Sequence, residues 1–384
     1  MSMHQVRAAL VGLGLVSASC FAVPATAYAV QIVKIGVSGP LTGSNAANGK
    51  DIENGVRMAI DEANATHPTI GNEPVQFVLE SVDDQGDPRV GVQVAQKLVD
   101  DGVQVVIGHF NSGVCLPASR VFANAGIPLI DPAATNPAIT QQGLKSVFRV
   151  IPTDAQNSGI AGKYAVTATK AKRIAIMDDR TAFGQGEAEE FKKAVVAAGG
   201  TIVATEFTND KAVDFGPQLT NVKAATADLL FFGGLDGQAG LIARRMKQLG
   251  MRTQFLGGGA VADTIFTQIA GNAGDGALAW EYGRPLKTLP RGSEFAEKYK
   301  KKFGTDNLTY SPFAYDAATL AIDAMKSANS TKPAAFMPAL QKAQFTGITG
   351  KITFDDRGDL KNPASTLYKL TEGKWVAVTT VTAN

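Results

Sequence analysis

The sequence predicts an α/β fold with parallel sheets, arranged as two successive units. From residue 30 onward, short runs rich in β-branched residues alternate with amphipathic stretches of helical period. This alternation is typical of βαβ units, in which a helix connects two parallel strands. It is interrupted once, at VFRVIPTDAQNSG, and then resumes. No low-complexity linker separates the halves, so we expect two lobes joined by hinge strands.

The elements of the first unit follow one another at short spacing. A helix is predicted at DPRVGVQVAQKLVDDG, because Pro88 lies near its start and Gly102 just past its end, where these residues are favoured. A second helix is predicted at GVCLPASRVFANAG. The predicted strands are IVKIGV, PVQFVLESV, VQVVIGH and IPLIDP.

The second unit repeats the pattern and is followed by a different ending. Its predicted strands are KRIAIMDD, TIVATEFT, ADLLFFGG and TQFLGGG, and its helices are GQGEAEEFKKAVVAAGG and GQAGLIARRMKQLGM. Two further helices are predicted at RGSEFAEKYKKKFG and SPFAYDAATLAIDAMKSA. The chain then ends in GKITFDDRGDL, STLYKLTEG and KWVAVTTV, which we interpret as antiparallel strands around a turn at Glu372-Gly373.

Composition excludes several classes of protein. With 384 residues, 45% of them hydrophobic, the chain can bury more than one core. Its 37 basic and 35 acidic residues are balanced, so neither nucleic acid nor an anionic membrane is an expected partner. Beyond residue 29 the only thiol is Cys115 and the only imidazoles are His67 and His109. We therefore expect no internal disulfide, no metal and no cofactor.

The N-terminus reads as a secretory signal peptide over residues 1–29. Arg7 is the only charged residue before Lys34, an apolar stretch follows it, and ATAYA supplies a small-residue cleavage site. We expect cleavage after Ala29 and export to the periplasm. The alternative is a membrane anchor, although the apolar run is short for a membrane span.

The loop LTGSNAANGKDIENG resembles a nucleotide-binding P-loop, because it connects a strand to a helix and contains a lysine. A P-loop has the pattern G-x-x-x-x-G-K-[ST]. Here five residues separate Gly43 from Gly49, and Lys50 is followed by Asp51, whose carboxylate would repel phosphate. We interpret the loop as a strand-to-helix connection that borders a ligand crevice at the carboxyl ends of the strands.

Four segments resemble the periplasmic binding proteins for branched-chain amino acids, which serve ABC importers. They are VKIGVSGPLTGSNAANGKDIENGVRMAIDEANA, VIGHFNSGVCLPAS, PLIDPAATNPAIT and RIAIMDDRTAFGQG. The resemblance implies the type I periplasmic binding protein fold: two Rossmann-like lobes, formed by residues 30–153 with 284–359 and by residues 154–283 with 360–384. It also implies a monomer that binds a small ligand between the lobes and docks on an inner-membrane ABC permease.

The resemblance also implies a set of ligand-binding residues. HFNS matches a segment whose serine binds the ligand carboxylate, which points to Ser112. PAATNP matches a segment that holds the carboxylate and ammonium, which points to Ala133, Ala134 and Thr135. Asp154 matches an aspartate near the hinge. Since Ser112 precedes a predicted helix, its position suits an anion; the alternative is that Ser112 and Thr135 only cap helices.

Two aromatic residues match cleft positions of the same family. Phe183 occupies the position of an aromatic that closes over the ligand, and Tyr310 matches another aromatic of the cleft. For both residues the alternative is ordinary core packing. The family disulfide is absent, because Gly86 and Asn111 stand where some members have cysteines.

The match fails where relatives bind the ligand ammonium. The relatives have a tyrosine where this chain has Leu235, and an acidic residue where it has Gly259. An ammonium buried without a carboxylate is strongly unfavourable. Either another acid replaces the missing one, with Asp236, Asp263 and Glu281 as candidates, or the ligand is a carboxylic acid without an α-amino group. The alternative for each candidate is a solvated loop charge.

Other classes of function fit less well. A hydrolase of this fold class would need a nucleophile elbow such as G-x-S-x-G together with a base, and neither GVSGP nor FNSGV has that pattern. A ligand sensor of the same fold would lack an export signal or carry a signalling domain. We therefore expect a non-enzymatic binding protein for an apolar or branched-chain amino acid.

Overall fold

A computed structural model describes residues 30–383, so the predicted signal peptide lies outside the described residues. The first sheet contains β1 (Gln31–Gly39), β2 (Thr69–Ile70), β3 (Glu73–Asp83), β4 (Val105–Gly108), β5 (Leu129–Asp131) and β6 (Val147–Arg149). The helices in this part of the chain are α1 (Ala46–Asn64), α2 (Pro88–Asp100), α3 (Ser112–Asn124) and α4 (Ala138–Gln141). The strand order is β2-β3-β1-β4-β5-β6, and every pairing is parallel except that of the short β2.

The second sheet has the same plan with an antiparallel addition. Its parallel strands are β7 (Arg173–Asp178), β8 (Thr201–Phe207), β9 (Leu229–Gly233), β10 (Gln254–Gly257) and β11 (Leu278–Tyr282). Their helices are α5 (Asp154–Thr167), α6 (Ala182–Ala197), α7 (Gly216–Ala224), α8 (Asp236–Gln248) and α9 (Thr264–Ala270). The strands β14 (Ala364–Thr371) and β15 (Lys374–Thr382) extend it in the order β15-β14-β11-β10-β9-β7-β8.

The segment between β11 and β14 returns to the first lobe. It contains α10 (Gly292–Phe303), α11 (Ser311–Ser327), α12 (Pro333–Gln341) and the small hairpin of β12 (Phe345–Thr346) and β13 (Lys351–Ile352). Helix α11 packs against α1, and Phe336 and Ile352 join the hydrophobic core of the first sheet. The chain therefore crosses between the lobes three times: before α5, before α10 and before β14. The predicted lobe boundaries fall within these connections, and their positions stay predictions.

Each sheet is covered on both faces, because alternate residues of its strands point to opposite sides. In β4, Val105 and Ile107 belong to the core that includes α1 and α11, whereas Val106 faces the core that includes α2 and α3. In β7, Ile174 packs with α5 and α6, and Met177 packs with α7 and α8. This two-sided burial explains why the strands read as continuous apolar runs in the sequence.

The α/β class and the two lobes are confirmed, and some details of the prediction are wrong. The terminal hairpin turns at Glu372-Gly373 as predicted, with both residues at positive φ. GKITFDDRGDL does not join that hairpin, because β13 pairs with β12 instead. The stretch read as a hinge contains β6 and the start of α5. Helix α5 was missed because its small and polar residues form no apolar stripe.

The loop that resembles a P-loop has a structural role in this chain. Asp51 is buried, and it accepts hydrogen bonds from the backbone N–H groups of Leu308, Tyr310 and Ser311 at 2.9, 3.0 and 2.7 Å. Lys50 pairs with Glu53 at 2.5 Å and remains largely exposed. The Asp51 carboxylate, which follows the lysine, therefore anchors the start of α11 onto α1. A negative charge held at this position does not suit phosphate binding.

We expect Asp51→Ala to lower the free energy of unfolding by about 3 kcal/mol or more, because three backbone amides, two of them fully buried, lose their acceptor. The control is Asp61→Ala on the same helix, where the side chain is half exposed and pairs with Lys302; its expected cost is below about 1 kcal/mol. Urea unfolding of both variants measures the difference. Equal losses would show that Asp51 does not hold the start of α11.

Candidate ligand site

The candidate site lies where the carboxyl edges of the two sheets face each other. Side chains from both lobes meet there: Ala260 and Tyr282 of the second lobe pack in one cluster with Phe110 and Tyr310 of the first. A hydrogen bond also crosses the gap, from the Asn136 side-chain amide to the carbonyl of Ala182 at 2.5 Å. The lobes are therefore closed onto each other, and most of the polar groups between them are buried.

One end of the site is the first turn of α3. Ser112 begins this helix and is buried; its hydroxyl oxygen accepts a hydrogen bond from the backbone N–H of Asn136 at 3.3 Å. The hydroxyl proton therefore remains able to be donated. The preceding Asn111 makes no capping hydrogen bond with its side chain, so the helix end keeps unpaired amides that favour an anion.

The two positions that lack the family disulfide lie side by side. A side-chain carbon built at Gly86 would stand 3.1 Å from the Asn111 carboxamide oxygen. Gly86 also has a φ of +67°, a conformation that favours glycine. The loop after β3 thus contacts the start of α3 without a covalent link.

The predicted PAATNP segment is shaped by a buried aspartate. Asp131 at the end of β5 accepts hydrogen bonds from the N–H groups of Ala133 and Ala134 at 2.9 and 2.7 Å. The Arg149 guanidinium binds the carbonyls of Ala134 and Asn136 from the other side. The amides of both alanines are therefore already engaged, and they are not available to a ligand.

Thr135 and Asp154 are adjacent and incompletely paired. The Asp154 N–H donates to the Thr135 carbonyl at 3.0 Å, so the start of α5 is fastened to the first lobe. The Thr135 hydroxyl and both carboxylate oxygens of Asp154 are buried without a hydrogen-bond partner. Burial raises the pKa of Asp154 to about 7, although the neighbouring Thr135 hydroxyl, which does not reach full hydrogen-bond geometry, and the Arg149 charge partly oppose the shift.

Glu187 of α6 lies beside Asp154. No sequence pattern indicated Glu187 as a site residue. One of its oxygens accepts the N–H of Gly259 at 2.7 Å, and the other is buried without a partner. The next residue toward the N-terminus, Gly186, contacts Asp154: a side-chain carbon there would stand 2.4 Å from a carboxylate oxygen. Burial, followed by the Asp154 charge, raises the pKa of Glu187 well above its ordinary value.

Tyr282 occupies the space beside Gly259. A side-chain carbon on Gly259 would stand 2.0 Å from the phenol oxygen of Tyr282, so the position cannot carry an acid without displacing that ring. The Tyr282 hydroxyl is buried and unpartnered. Burial and the charges of Glu187, Tyr310 and Asp154 raise its pKa far above the usual range.

The three acids considered as replacements are engaged elsewhere. Glu281 accepts the N–H groups of Ala260, Val261 and Ala262 at 3.2, 2.8 and 2.7 Å. Asp263 caps α9 through the N–H of Phe266 at 2.9 Å. Asp236 begins α8 and lies against Asp263; after burial, this neighbour helps to raise the pKa of Asp263 to about 9. None of the three is a solvated loop charge, and each shapes the backbone of the second lobe.

The aromatic and apolar residues surround this polar centre. Tyr310 is buried just before α11, and its ring meets Phe110 edge-on with a centroid distance of 5.2 Å. Phe183 lies in the first turn of α6, four residues before Glu187, and is half-buried. Leu235 packs against the first-lobe cluster. Tyr310, Phe110 and Leu235 therefore belong to one apolar cluster, and the cleft roles of Phe183 and Tyr310 stay predictions.

Three general findings apply to residues 30–383. In that range, no group of three or more His, Cys, Asp or Glu side chains is arranged to hold a metal ion. The same residues contain no helix with the length and apolar character needed to cross a bilayer. The single thiol, Cys115, is buried and free.

Two lobes that close over unpaired buried polar groups define a protein that binds a small ligand between its domains. The family comparison agrees: the chain belongs to the periplasmic binding protein family, whose model matches residues 32–374. It is 36% identical over 361 residues to a Leu/Ile/Val-binding protein homolog from Brucella suis; the alignment covers 94% of this chain and 95% of that one.

Two solved structures resemble the fold closely. The branched-chain amino acid transporter substrate-binding protein LivJ from Streptococcus pneumoniae, in complex with isoleucine, has a TM-score of 0.82 and 25% identity, covering 92% of this chain and 100% of its own. A solute-binding protein of an ABC transporter from Rhodopseudomonas palustris, in complex with 3,4-dihydroxybenzoic acid, has a TM-score of 0.80 and 25% identity. The match covers 92% of this chain and 98% of that one.

The buried acids predict how stability depends on pH. Burial raises the pKa of Asp154 and of Glu281 to about 7 in the folded protein. Between about pH 4 and pH 7 the folded state then binds more protons than the unfolded state, so stability falls as the pH rises, by about 1.4 kcal/mol per pH unit for each proton. We expect urea unfolding of ligand-free protein to give a lower free energy at pH 8 than at pH 5.5.

Asp154→Asn should make this decline shallower, whereas Asp61→Asn on the exposed face of α1 should leave it unchanged. Stability that rises between pH 5.5 and pH 8 would contradict the assignment of raised pKa values to the buried carboxyls.

Proposed function

We propose that the protein is the periplasmic solute-binding component of an ABC importer and that it captures an apolar or branched-chain amino acid between its lobes. One observation carries the proposal. The closed site has a helix end suited to an anion on one side and unpaired buried carboxylates on the other. This arrangement is complementary to the two charges of an amino acid zwitterion.

The carboxylate of the ligand is assigned to the first lobe. The Ser112 hydroxyl can donate, since its oxygen already accepts from Asn136, and the first turn of α3 adds backbone N–H groups. Thr135 supplies a second hydroxyl that is buried and unpartnered. Relative to the prediction from the sequence, the contribution of Ala133 and Ala134 is reduced, because Asp131 uses their amides.

The side chain of the ligand is assigned to the apolar surface around the polar centre. Tyr310 and Phe110 form one wall, and Phe183 and Leu235 lie where the second lobe closes. Closure removes water from the site, which strengthens each polar contact inside it. The closed form is then the state that an inner-membrane permease would recognise, with the binding protein acting as a monomer.

Two observations favour a second ligand class, one from the sequence and one from the comparison with solved structures. Gly259 stands where relatives carry the acid that binds ammonium, and a structural relative holds 3,4-dihydroxybenzoic acid. Both agree with a carboxylic acid that has no α-amino group. The unpaired acids of the site argue against it, because such a ligand would leave them without a donor.

A thermal-shift panel on unfolded and refolded protein from residue 30 onward separates the two classes, since ligands that bind only the folded state raise the melting temperature. The panel pairs leucine with 4-methylpentanoate and phenylalanine with 3-phenylpropanoate. We expect the amino acids to shift the transition and the deaminated acids to leave it in place. A shift with the acids alone would replace the proposed ligand class, and no shift with any compound would contradict the proposal.

Ser112→Ala should weaken binding of the amino acid by about 1–3 kcal/mol, because a buried carboxylate loses a donor. The matched control is Ser119→Ala, a buried serine of the same helix whose hydroxyl bonds the Leu116 carbonyl at 3.1 Å. Calorimetric titration measures both dissociation constants. An unchanged constant for Ser112→Ala, or the same loss in both variants, would contradict the assignment.

A further inference from the structure

We propose that Glu187, together with Asp154, is the receptor for the ligand ammonium and therefore the residue that selects amino acids over simple carboxylic acids. This inference rests on the proposed function, and it assigns a role to a residue of α6 that lies far in sequence from the loop with Gly259. Four observations support it: the space beside Gly259, the surroundings of Glu187, the unpaired oxygens and the engagement of the other acids.

Positions 258 and 259, at the start of the loop after β10, have no space for an acidic side chain. A side-chain carbon on Gly259 would collide with the Tyr282 ring, and one on Gly258 would stand 2.2 Å from a carboxylate oxygen of Glu187. The two glycines thus allow the backbone to pass directly over Glu187. The Glu187 carboxylate from α6 occupies the space beside this loop, and the absence of a side chain at position 259 leaves that space open.

The backbone holds Glu187 in place by a single hydrogen bond. The N–H of Gly259 donates to one oxygen at 2.7 Å, which orients the carboxylate and leaves the second oxygen buried and free. Asp154 contributes two more buried oxygens without a partner. Gly186, the neighbour of Glu187 in α6, lies against Asp154, so these three unpaired acceptor atoms lie in the same region of the site. A primary ammonium has three N–H donors.

The neighbouring acids do not compete for this role. Glu281 is held by three backbone amides, and Asp179 accepts both the N–H and the hydroxyl of Thr181 at 2.9 and 2.6 Å. Arg149, the buried cation nearest in the first lobe, already pairs with Asp359 at 3.0 Å and binds two carbonyls. Among residues 30–383 no basic side chain forms an ion pair with Asp154 or Glu187, and the Arg149 charge opposes the pKa shift of Asp154 only in part, so a direct cationic partner is left to the ligand.

The experiment compares two ligands in two proteins. Dissociation constants of leucine and 4-methylpentanoate are measured by calorimetry for the wild type and for Glu187→Gln, which keeps a carbonyl to accept the Gly259 N–H. We expect Glu187→Gln to weaken leucine binding roughly 10- to 100-fold, as for a lost charge-assisted hydrogen bond. The binding of 4-methylpentanoate should be unchanged or tighter.

The matched control is Glu281→Gln, a buried acid of the same lobe whose oxygens serve backbone amides. It should lower the melting temperature without changing the preference for leucine over the acid. If circular dichroism shows that Glu187→Gln is unstable, the preference for leucine over 4-methylpentanoate is measured in Asp154→Asn instead.

The outcomes distinguish this inference from the proposed function. If the wild type binds leucine and both Glu187→Gln and Asp154→Asn keep the full preference for it, the ammonium lies elsewhere and the inference is overturned. If the preference falls as much in Glu281→Gln as in Glu187→Gln, the effect is structural and the inference is again overturned. If the wild type binds neither amino acid nor acid, the proposed function itself fails.

Discussion

The molecule depends on one requirement: a buried carboxylate must receive hydrogen bonds. Four buried aspartates and glutamates meet it by accepting hydrogen bonds from backbone amides of a loop or of a helix start. Asp51 holds the start of α11, Asp131 holds the segment after β5, Glu281 holds the loop after β10, and Asp316 holds the loop at 348–349. Each carboxylate pairs amides that a loop would otherwise bury unsatisfied, and so it fixes the loop in one conformation.

These anchored loops are the ones that carry the site. The Asp51 anchor includes the N–H of Tyr310, and the Asp131 anchor immediately precedes Thr135. The Glu281 anchor follows the two glycines that pass over Glu187. The walls of the site are therefore rigid before a ligand arrives, which lowers the entropic cost of binding. Asp154 receives no hydrogen bond and Glu187 receives one on a single oxygen, and their unpaired oxygens distinguish a site for a ligand from a structural anchor.

Much of the fold and half of the site could be predicted from the sequence, because they depend on local patterns. Apolar runs bounded by glycine and proline mark the strands, and Ser112 and Thr135 follow strands in recognisable segments. Glu187 could not be predicted in this way, because GEAEEF reads as the exposed acidic face of a helix. Its burial depends on Gly258 and Gly259, which lie about 70 residues further along the chain.

The same reasoning explains why the glycine at position 259 misleads when it is considered alone. A buried ammonium requires a carboxylate close to it in the folded structure, whichever part of the sequence supplies that carboxylate. In the proposed site the first lobe offers Ser112 to the anion, while α6 of the second lobe offers Glu187 to the ammonium, so the two charges of one ligand would connect the lobes. A carboxylic acid would satisfy only the first lobe and would leave two carboxylates buried together on closing. The proposed ammonium site therefore couples closure to the ammonium: the acid pair would both select the ligand and stabilise the closed form.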